Sequence, residues 1–276
     1  MADDPAFLIE NYFSDIQFST HVISAISEGA GTEAFRVATG RRSTLDRWSP
    51  TALNLEAWIK VDLTSSKSAT AYIIDRGHNL SGETVVLERS PDDNAWTQVF
   101  SVTIPATAAT DGDFDDANGI TTDEGAWVKR FASVSDRYWH LRIPAMGADL
   151  KPDIIGLWLG NTWEPGKITI PMPDEQAETV TQRGQSDRGW QGNTQAVRRR
   201  AGEIFLQLDA AAESAALAAI AEYDLLRPMW IIHDADKAER AVLAQRPDGR
   251  IGFGFEPGWF PRQGRIPWLE LQPKVN

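Results

Sequence analysis

The chain has 276 residues, an ordinary apolar share of 42% and a formal net charge of -12 at pH 7. This acidic balance argues against a nucleic acid as partner, because affinity for a phosphate backbone depends mainly on Lys and Arg. No run reaches the length of about 18 apolar residues that a membrane helix needs. The lack of Cys excludes disulfides and thiolate chemistry. Asp3, Asp4 and Glu10 stand where a secretory signal would carry basic residues, so we expect no signal peptide.

The length favours two domains. After residues 1–14, which we interpret as an N-terminal arm, short segments of alternating apolar and polar residues follow one another, with Gly, Asn, Asp, Ser and Pro at the joints. The predicted strands are EAWIKVDL (56–63), ATAYIID (69–75), ETVVLERS (83–90), AWTQVFSVTI (95–104) and RYWHLRI (137–143). Such a pattern is typical of an antiparallel sandwich or barrel. We therefore predict an all-β first domain over residues 15–147.

An acidic segment, ATDGDFDDANGITTDEG (109–125), interrupts this domain. Its Gly, Asp and Asn content predicts a long solvated loop. Calcium prefers several carboxylate and carbonyl oxygens on a flexible loop, but the spacing of an EF-hand is not met. The candidate metal ligands are Asp111, Asp113, Asp115 and Asp116. We expect no resident metal or cofactor, and calcium at this loop is the open alternative.

From residue 150 to residue 276 the pattern changes to strands with one helix. Leu217, Ile220, Tyr223 and Leu226 recur about one turn apart in an Ala-rich stretch, which predicts a helix over 211–226. Strands are predicted on both sides of it, in the segments that contain IIGLWLG, EIFLQLD, MWIIHDAD, RAVLAQ, RIGFGFEP and IPWLELQP. The predicted fold class is therefore mainly β: a β-sandwich followed by a β-rich domain with one helix.

The usual motifs of enzyme active sites are missing, since the sequence contains no GxSxG, HExxH or Walker-type loop. Asp234 and Asp236 follow an apolar strand, as the metal-binding carboxylates of some hydrolases do. In a β-rich domain, however, Asp is common at turns because it bonds its own backbone. We therefore expect a protein that is not an enzyme, with a metal-dependent hydrolase as a further hypothesis.

A basic island stands out in this acidic chain. It consists of Arg183, Arg188, Arg198, Arg199 and Arg200. Arg is favoured at interfaces because its planar fork pairs with carboxylates. Two interpretations remain open: a subunit contact, and a strand edge that charge protects from further pairing.

Four separated segments of the first domain resemble the discoidin family, the galactose-binding-like jelly rolls of coagulation factors and bacterial carbohydrate-binding modules. They are RWSPT with EAWIKVDL, DRGHNLSGETVVLERSPDDNAW (75–96) and DRYWHLRI (136–143), in the family's order. The resemblance implies a jelly roll whose ligand, where there is one, sits on loops at one end. The implied ligand-binding candidates are Arg41, Arg42, Trp48, Arg76, His78 and Asn79.

Two of these expectations have structural consequences. Trp58 is expected to pack inside the jelly roll, whereas Trp48 is expected to be exposed in the preceding loop. For the segment HNL (78–80) the alternative interpretation is a turn that is held by side-chain hydrogen bonds.

The order of elements after residue 150 resembles components of the tails of long-tailed bacteriophages, beginning with GLWLGNTWEP (156–165). This resemblance implies a structural component of a tail tip, made in the host cytoplasm and located in the virion. Its partners would be other tail proteins and copies of itself, with a host-surface glycan as an open further partner. The alternative is a carbohydrate-binding module of a bacterial surface protein or enzyme.

Overall fold

The structure is a computed structural model. It describes residues 6–14, 20–38, 46–108, 117–122, 125–147, 149–164, 176–179, 182–185, 191–194, 198–208, 228–232, 241–245 and 262–270. Contacts divide the chain into two compact units, the first formed by Met1–Glu164 with Trp230–Ala241 and the second by Pro165–Met229 with Val242–Asn276.

The strands of the first unit alternate with turns and one short 3-10 helix, Ala34–Ala38. They are β1 (Ala6–Leu8), β2 (Val22–Ala25), β3 (Ala57–Ile74), β4 (Thr84–Ser90), β5 (Thr97–Thr103), β6 (Ile120–Thr121), β7 (Trp127–Ile143), β8 (Leu157–Gly160) and β9 (Thr162–Trp163). The remaining strands are β10 (Gln176–Thr179), β11 (Gln182–Gln185), β12 (Gln191–Thr194), β13 (Arg198–Leu208), β14 (Met229–Ile232), β15 (Val242–Gln245) and β16 (Arg262–Glu270).

Two long antiparallel strands, β3 and β7, organise the first unit, with 18 and 17 residues. Their pairing is regular at both ends, but it shifts between Asp62 and Lys67 and again between Ala69 and Ala71. At one end the strand order is β2-β3-β7-β4-β5, and we call this the front half. At the other end β8 pairs with β3 and β6 pairs with β7, and we call this the back half. Bulges of this kind bend a strand and let it pass from one sheet to another.

The two halves face each other across one hydrophobic core. Ile59 and Leu141 of the front half and Tyr72 of the back half are fully buried in the same cluster. Phe100 from β5 lies 6.5 Å from the Tyr72 ring and 5.8 Å from the Trp127 ring, measured between centroids. Large aromatic side chains contribute most to such a core because each one removes a large apolar area from water. The first unit is therefore a β-sandwich built largely from two shared strands.

Segments distant in sequence complete this unit. In β1, Phe7 pairs with Ile231 of β14 on one side and with Trp163 of β9 on the other. The Asn11 side chain donates to the Leu157 carbonyl at 3.0 Å. Tyr12 and Phe13 are buried in the sandwich core. Residues 6–14 therefore pack as part of the first unit.

In the second unit, β13 pairs with β10 and β16, and β16 also pairs with β15, all antiparallel. β11 and β12 form a separate hairpin. The predicted fold class, mainly β, is confirmed. The helix predicted over 211–226 lies outside the described residues. The predicted strands 56–63 and 69–75 are one strand, β3, because its bulge replaces the expected turn.

The domain limits 15–147 and 150–276 stay predictions about independently folding domains. The contacts, however, group residues 149–164 with the first unit, since β8 pairs with β3 from Leu157 to Gly160. In the part of the chain that the structure describes, no helix has the length and apolar character needed to cross a membrane.

Candidate functional site

The outer surface of the front half carries a set of aromatic and charged side chains in fixed register. In β3, Ala57, Ile59 and Val61 are buried, while Trp58 and Lys60 alternate with them on the other side of the pleat and are partly exposed. Trp58 lies opposite Arg142, and Lys60 lies opposite His140. Because successive side chains of a strand point to opposite faces, these residues share one face of the sheet.

Trp96 joins this face from the turn between β4 and β5. The Asp92 carboxylate accepts hydrogen bonds from the backbone N–H groups of Asn94 and Ala95, at 3.0 and 3.1 Å, which fixes the turn just before Trp96. The Trp96 ring stacks on His140 with centroids 3.9 Å apart and an interplanar angle of 27°. Trp58 lies 6.3 Å from the same imidazole at 17°. We call Trp58, Trp96 and His140 the aromatic stack.

His140, the ring on which both tryptophans stack, is held in place by Glu88, which Arg142 also contacts. Its Nε2 lies 2.5 Å from Glu88 Oε2, and Arg142 Nε donates to the same oxygen at 3.3 Å. Burial lowers the pKa of His140 although Glu88 opposes this shift. Burial disfavours the Glu88 carboxylate, but hydrogen bonds from His140 and Arg142 outweigh it and lower the pKa of Glu88. At neutral pH a neutral imidazole therefore donates its Nε2–H to an ionised Glu88.

Further ion pairs border the stack. Lys60 Nζ donates to both carboxylate oxygens of Asp93, at 2.8 and 2.6 Å, and lies 5.6 Å from the centre of the Trp58 ring. Arg142 also donates to Glu56 at 3.1 Å. The surface thus combines nearly parallel aromatic rings with hydrogen-bonding groups whose positions are fixed by their neighbours. Such a surface suits a ligand that has an apolar face and a polar edge.

The structure corrects the sequence-based positions of two tryptophans. Trp48, which we expected to be exposed in a loop, is fully buried in the sandwich core. Its backbone forms an isolated bridge with Ile154, and its indole Nε1 donates to the Ser27 carbonyl at 3.2 Å. Trp48 therefore offers no surface to a ligand. Trp58, expected inside, lies on the outer face instead.

The predicted loop residues Arg76, His78 and Asn79 follow β3 directly. Asn79 donates from Nδ2 to the Lys151 carbonyl at 2.9 Å and accepts at Oδ1 from the Asp153 backbone N–H at 2.8 Å. His78 Nδ1 accepts from the Leu80 backbone N–H at 3.1 Å, and burial lowers the pKa of His78 to about 4. These bonds match the alternative interpretation of this segment as a turn held by side chains. A ligand-binding role for Arg76, His78 and Asn79 stays a prediction.

The other predicted site residues are only partly covered by the structure. Arg183 lies in β11, and Arg198, Arg199 and Arg200 lie at the start of β13 opposite Thr179, Glu178 and Ala177 of β10. The candidates Arg41, Arg42, Asp111, Asp113, Asp115, Asp116, Arg188, Asp234 and Asp236 lie outside the described residues. The subunit-contact role of the arginines stays a prediction. Within the described ranges, no group of three or more potential metal ligands comes together.

Sequence reasoning missed the aromatic stack, although one signal for it was present. In AWIKVDL the residues at odd positions are buried, namely Ala57, Ile59, Val61 and Leu63. Trp58 therefore lies on the same face of the strand as Lys60 and Asp62. An aromatic residue in phase with charged residues indicates the solvent face of a strand. The approach of Trp96 depends on the conformation of the turn and has no comparable signal.

Part of the chain is similar in structure to known proteins. No family model and no curated protein matches it. A chitosan-binding module from a chitosanase/glucanase of Paenibacillus sp. IK-5 is 20% identical, with a TM-score of 0.39, over 54% of this chain and 98% of that one. The module CpGH89CBM32-5 of Clostridium perfringens, solved with GalNAc-β-1,3-galactose, is 15% identical over 51% and 96%, with a TM-score of 0.40. A GH29 fucosidase of Ruminococcus gnavus is 11% identical over 56% and 27%, with a TM-score of 0.42.

Proposed function

We propose that this protein binds glycans without catalysis, through the outer face of the front half of its sandwich. The observation that carries the proposal is the aromatic stack: Trp96 and Trp58 lie nearly parallel to His140, and both tryptophans are partly exposed. A sugar ring has an apolar C–H face that packs on an aromatic ring and hydroxyl groups that need donors and acceptors. The aromatic stack supplies the rings on which the apolar face can pack. The charged side chains that border it supply the hydrogen-bond donors and acceptors for the hydroxyl groups.

The fixed positions of the polar side chains on this surface support the proposal. Binding loses affinity when side chains must be immobilised, at a cost of about 0.5–1.5 kcal/mol for each flexible one. Here Lys60 is already paired with Asp93, and Glu88 is already bonded to His140 and Arg142. The polar groups are therefore positioned before a ligand arrives. The resemblance of the first domain to the discoidin family, whose members include carbohydrate-binding modules, points to the same class of ligand.

The test is a glycan array, followed by affinity electrophoresis of the full chain in gels that contain the polysaccharides it recognises. We expect Trp96→Ala to weaken binding at least tenfold and Trp58→Ala to weaken it less, since Trp96 has the closer stack on His140. Phe35→Ala is the matched control, because Phe35 is an aromatic residue with 54% exposure that belongs to the 3-10 helix Ala34–Ala38 and not to the aromatic stack.

Two results would contradict the proposal. One is a chain that recognises no glycan on the array. The other is full binding by the Trp58→Ala/Trp96→Ala double variant. If that double variant binds but Arg76→Gln does not, the ligand sits at the predicted loops and the outer face is not the site.

The role as a component of a phage tail tip, with a place in the virion and other tail proteins as partners, stays a prediction. It rests on the order of elements after residue 150, where the structure describes antiparallel strands such as β13 and β16. A role as the carbohydrate-binding module of a surface protein or enzyme needs only the first unit, and we favour it for that reason.

A further inference from the structure

Tyr138 extends the outer face of the front half beyond the aromatic stack. In β7, Trp139 and Leu141 are buried in the sandwich core. Because strand side chains alternate between the two faces, Tyr138 lies on the outer face together with His140. It is partly exposed and stands opposite Asp62 of β3. The outer face therefore carries a further aromatic ring at a position separate from the stack.

The strand register sets the distance between this ring and the stack. Trp58 pairs with Arg142, and Tyr138 precedes Arg142 by four residues in the same strand. Four residues of a strand span about 13 Å, at about 3.3 Å each. Lys60 stands at the middle of this span, and its Nζ lies 5.6 Å from the centre of the Trp58 ring and 6.0 Å from the centre of the Tyr138 ring. One sugar ring is too short to pack on both positions, whereas successive rings of a chain can reach them.

The Tyr138 end of the face is ordered by ionic contacts. The guanidinium carbon of Arg137 lies 4.7 Å from the centre of the Tyr138 ring. Arg137 also donates from Nε and Nη2 to the two carboxylate oxygens of Asp62, each at 2.8 Å. Hydrogen bonds from Arg137 lower the pKa of Asp62, so this carboxylate is ionised at neutral pH. A ring that is already held in place loses little freedom when a ligand packs on it.

The cations of this face are matched by carboxylates. The pairs are Lys60 with Asp93, Arg137 with Asp62, and Arg142 with Glu88 and Glu56. Among these described residues, three cations thus meet four carboxylates. An acidic sugar would approach carboxylates of like charge, which costs affinity. The hydroxyl groups of a neutral sugar can donate to the carboxylates and accept from the cations.

We propose that the outer face binds an internal stretch of an uncharged, linear glycan, with one sugar on the aromatic stack, another on Tyr138, and the chain between them over Lys60 and Asp93. The inference rests on the proposed glycan-binding function and names the class of ligand. That class is a chain of several neutral sugars, in contrast to a single terminal sugar or an acidic polysaccharide.

The experiment is isothermal titration of the full chain with linear hexasaccharides of cellulose, xylan, mannan and chitin. Each is compared with its own disaccharide and with hexagalacturonate, an acidic chain of the same length. We expect at least one neutral hexasaccharide to bind at least tenfold more tightly than its disaccharide and than hexagalacturonate. The longer chain reaches both aromatic positions, whereas the disaccharide reaches only one.

Variants test the second aromatic position. Tyr138→Ala should weaken binding of the hexasaccharide at least fivefold more than binding of the disaccharide. Trp96→Ala should weaken both, because either ligand needs the aromatic stack. Phe35→Ala is again the matched control, since it removes an exposed aromatic side chain from the 3-10 helix Ala34–Ala38.

Three results for the unmodified chain overturn the proposal without relying on any variant. They are no binding of the neutral hexasaccharides, equal affinity for hexasaccharide and disaccharide, and tighter binding of hexagalacturonate. Full hexasaccharide affinity in Tyr138→Ala overturns it as well. Failure of this inference differs from failure of the proposed function. Glycan binding that requires Trp96 but not chain length contradicts only the inference, whereas a chain that recognises no glycan contradicts the function itself.

Discussion

The loop end of the sandwich and the outer face of its front half carry similar residue types but use them differently. At the loop end, Trp48 is buried and Asn79 bonds Lys151 and Asp153 of its own chain. On the outer face, Trp58 and Trp96 keep part of their surface in solvent while His140 supports them. The difference shows that the exposure of an aromatic residue does not depend on whether it lies in a loop or in a strand. It depends on whether the side chain points toward the core or away from it.

The largest expected effect tests this contrast directly. Trp48→Ala should lower the free energy of unfolding by about 3–5 kcal/mol, because it leaves a cavity in the core. Trp58→Ala should lower it by less than about 1.5 kcal/mol, since Trp58 packs on one face only. Urea unfolding followed by circular dichroism measures both values. Equal losses in the two variants would remove the distinction between the regions.

The second effect concerns pH at the loop end. Burial lowers the pKa of His78 from 6.5 to about 4, so between these values the unfolded chain binds a proton that the folded chain does not. Stability should therefore fall as pH drops from about 6.5 to about 4, by about 3 kcal/mol for this group, and should show no further loss from it at lower pH. His78→Asn keeps an acceptor for the Leu80 N–H and should flatten this part of the profile. Denaturant midpoints at half-unit pH intervals measure it, and parallel profiles for both proteins would refute the assignment.

A smaller effect is expected at Asn79. Asn79→Ala removes two hydrogen bonds to the segment 151–153, so it should lower the free energy of unfolding. The loss should be only about 1–2 kcal/mol, because the Asn79 side chain is exposed and water can replace part of these bonds. Asn79→Asp retains only the acceptor, so it should fall between wild type and Asn79→Ala. Hydrogen exchange of the Asp153 amide should quicken in Asn79→Ala. No change in that amide would mean that the loop is held by other contacts.

The smallest effect is expected on the outer face, at the pair formed by Lys60 and Asp93. Both side chains are partly exposed, at 18% and 37%. A double-mutant cycle with Lys60→Met and Asp93→Asn should give a coupling energy below about 1 kcal/mol that decreases in high salt. A larger, salt-independent coupling would indicate that this face is as structural as the loop end.

Much of the fold could be predicted because local patterns determine it. The predicted strands 83–90 and 95–104 correspond closely to β4 and β5, since period-two alternation and the turn SPDDN mark them clearly. The polar run after Leu63 suggested a turn, yet Thr64 takes a left-handed conformation (φ 62°) and the strand continues. Sequence pattern alone does not distinguish a bulge from a turn. The pairing of β1 with β14 is equally hidden, because it joins residues more than two hundred positions apart in a chain of 276.

The candidate site was harder to predict than the fold. The alternation of buried and polar residues in AWIKVDL could have placed Trp58 on the outer face. Once β3 and β7 are paired, their register also places His140 opposite Lys60. The stack of Trp96 on His140 needs the turn that Asp92 fixes and the left-handed Asp93 (φ 63°), and neither can be derived from alternation. Physical interactions between distant segments, and not local propensity, assemble this surface.

The pairing of Phe7 with Ile231 has a consequence for the biosynthesis of the protein. The ribosome delivers the chain from the N-terminus, and domains tend to fold as units during synthesis. Here the first unit also requires Trp230–Ala241, so β1 waits for its partner until the whole segment 165–229 has been made. Until then one edge of β1 stays open to other strands, which is a risk of misassembly.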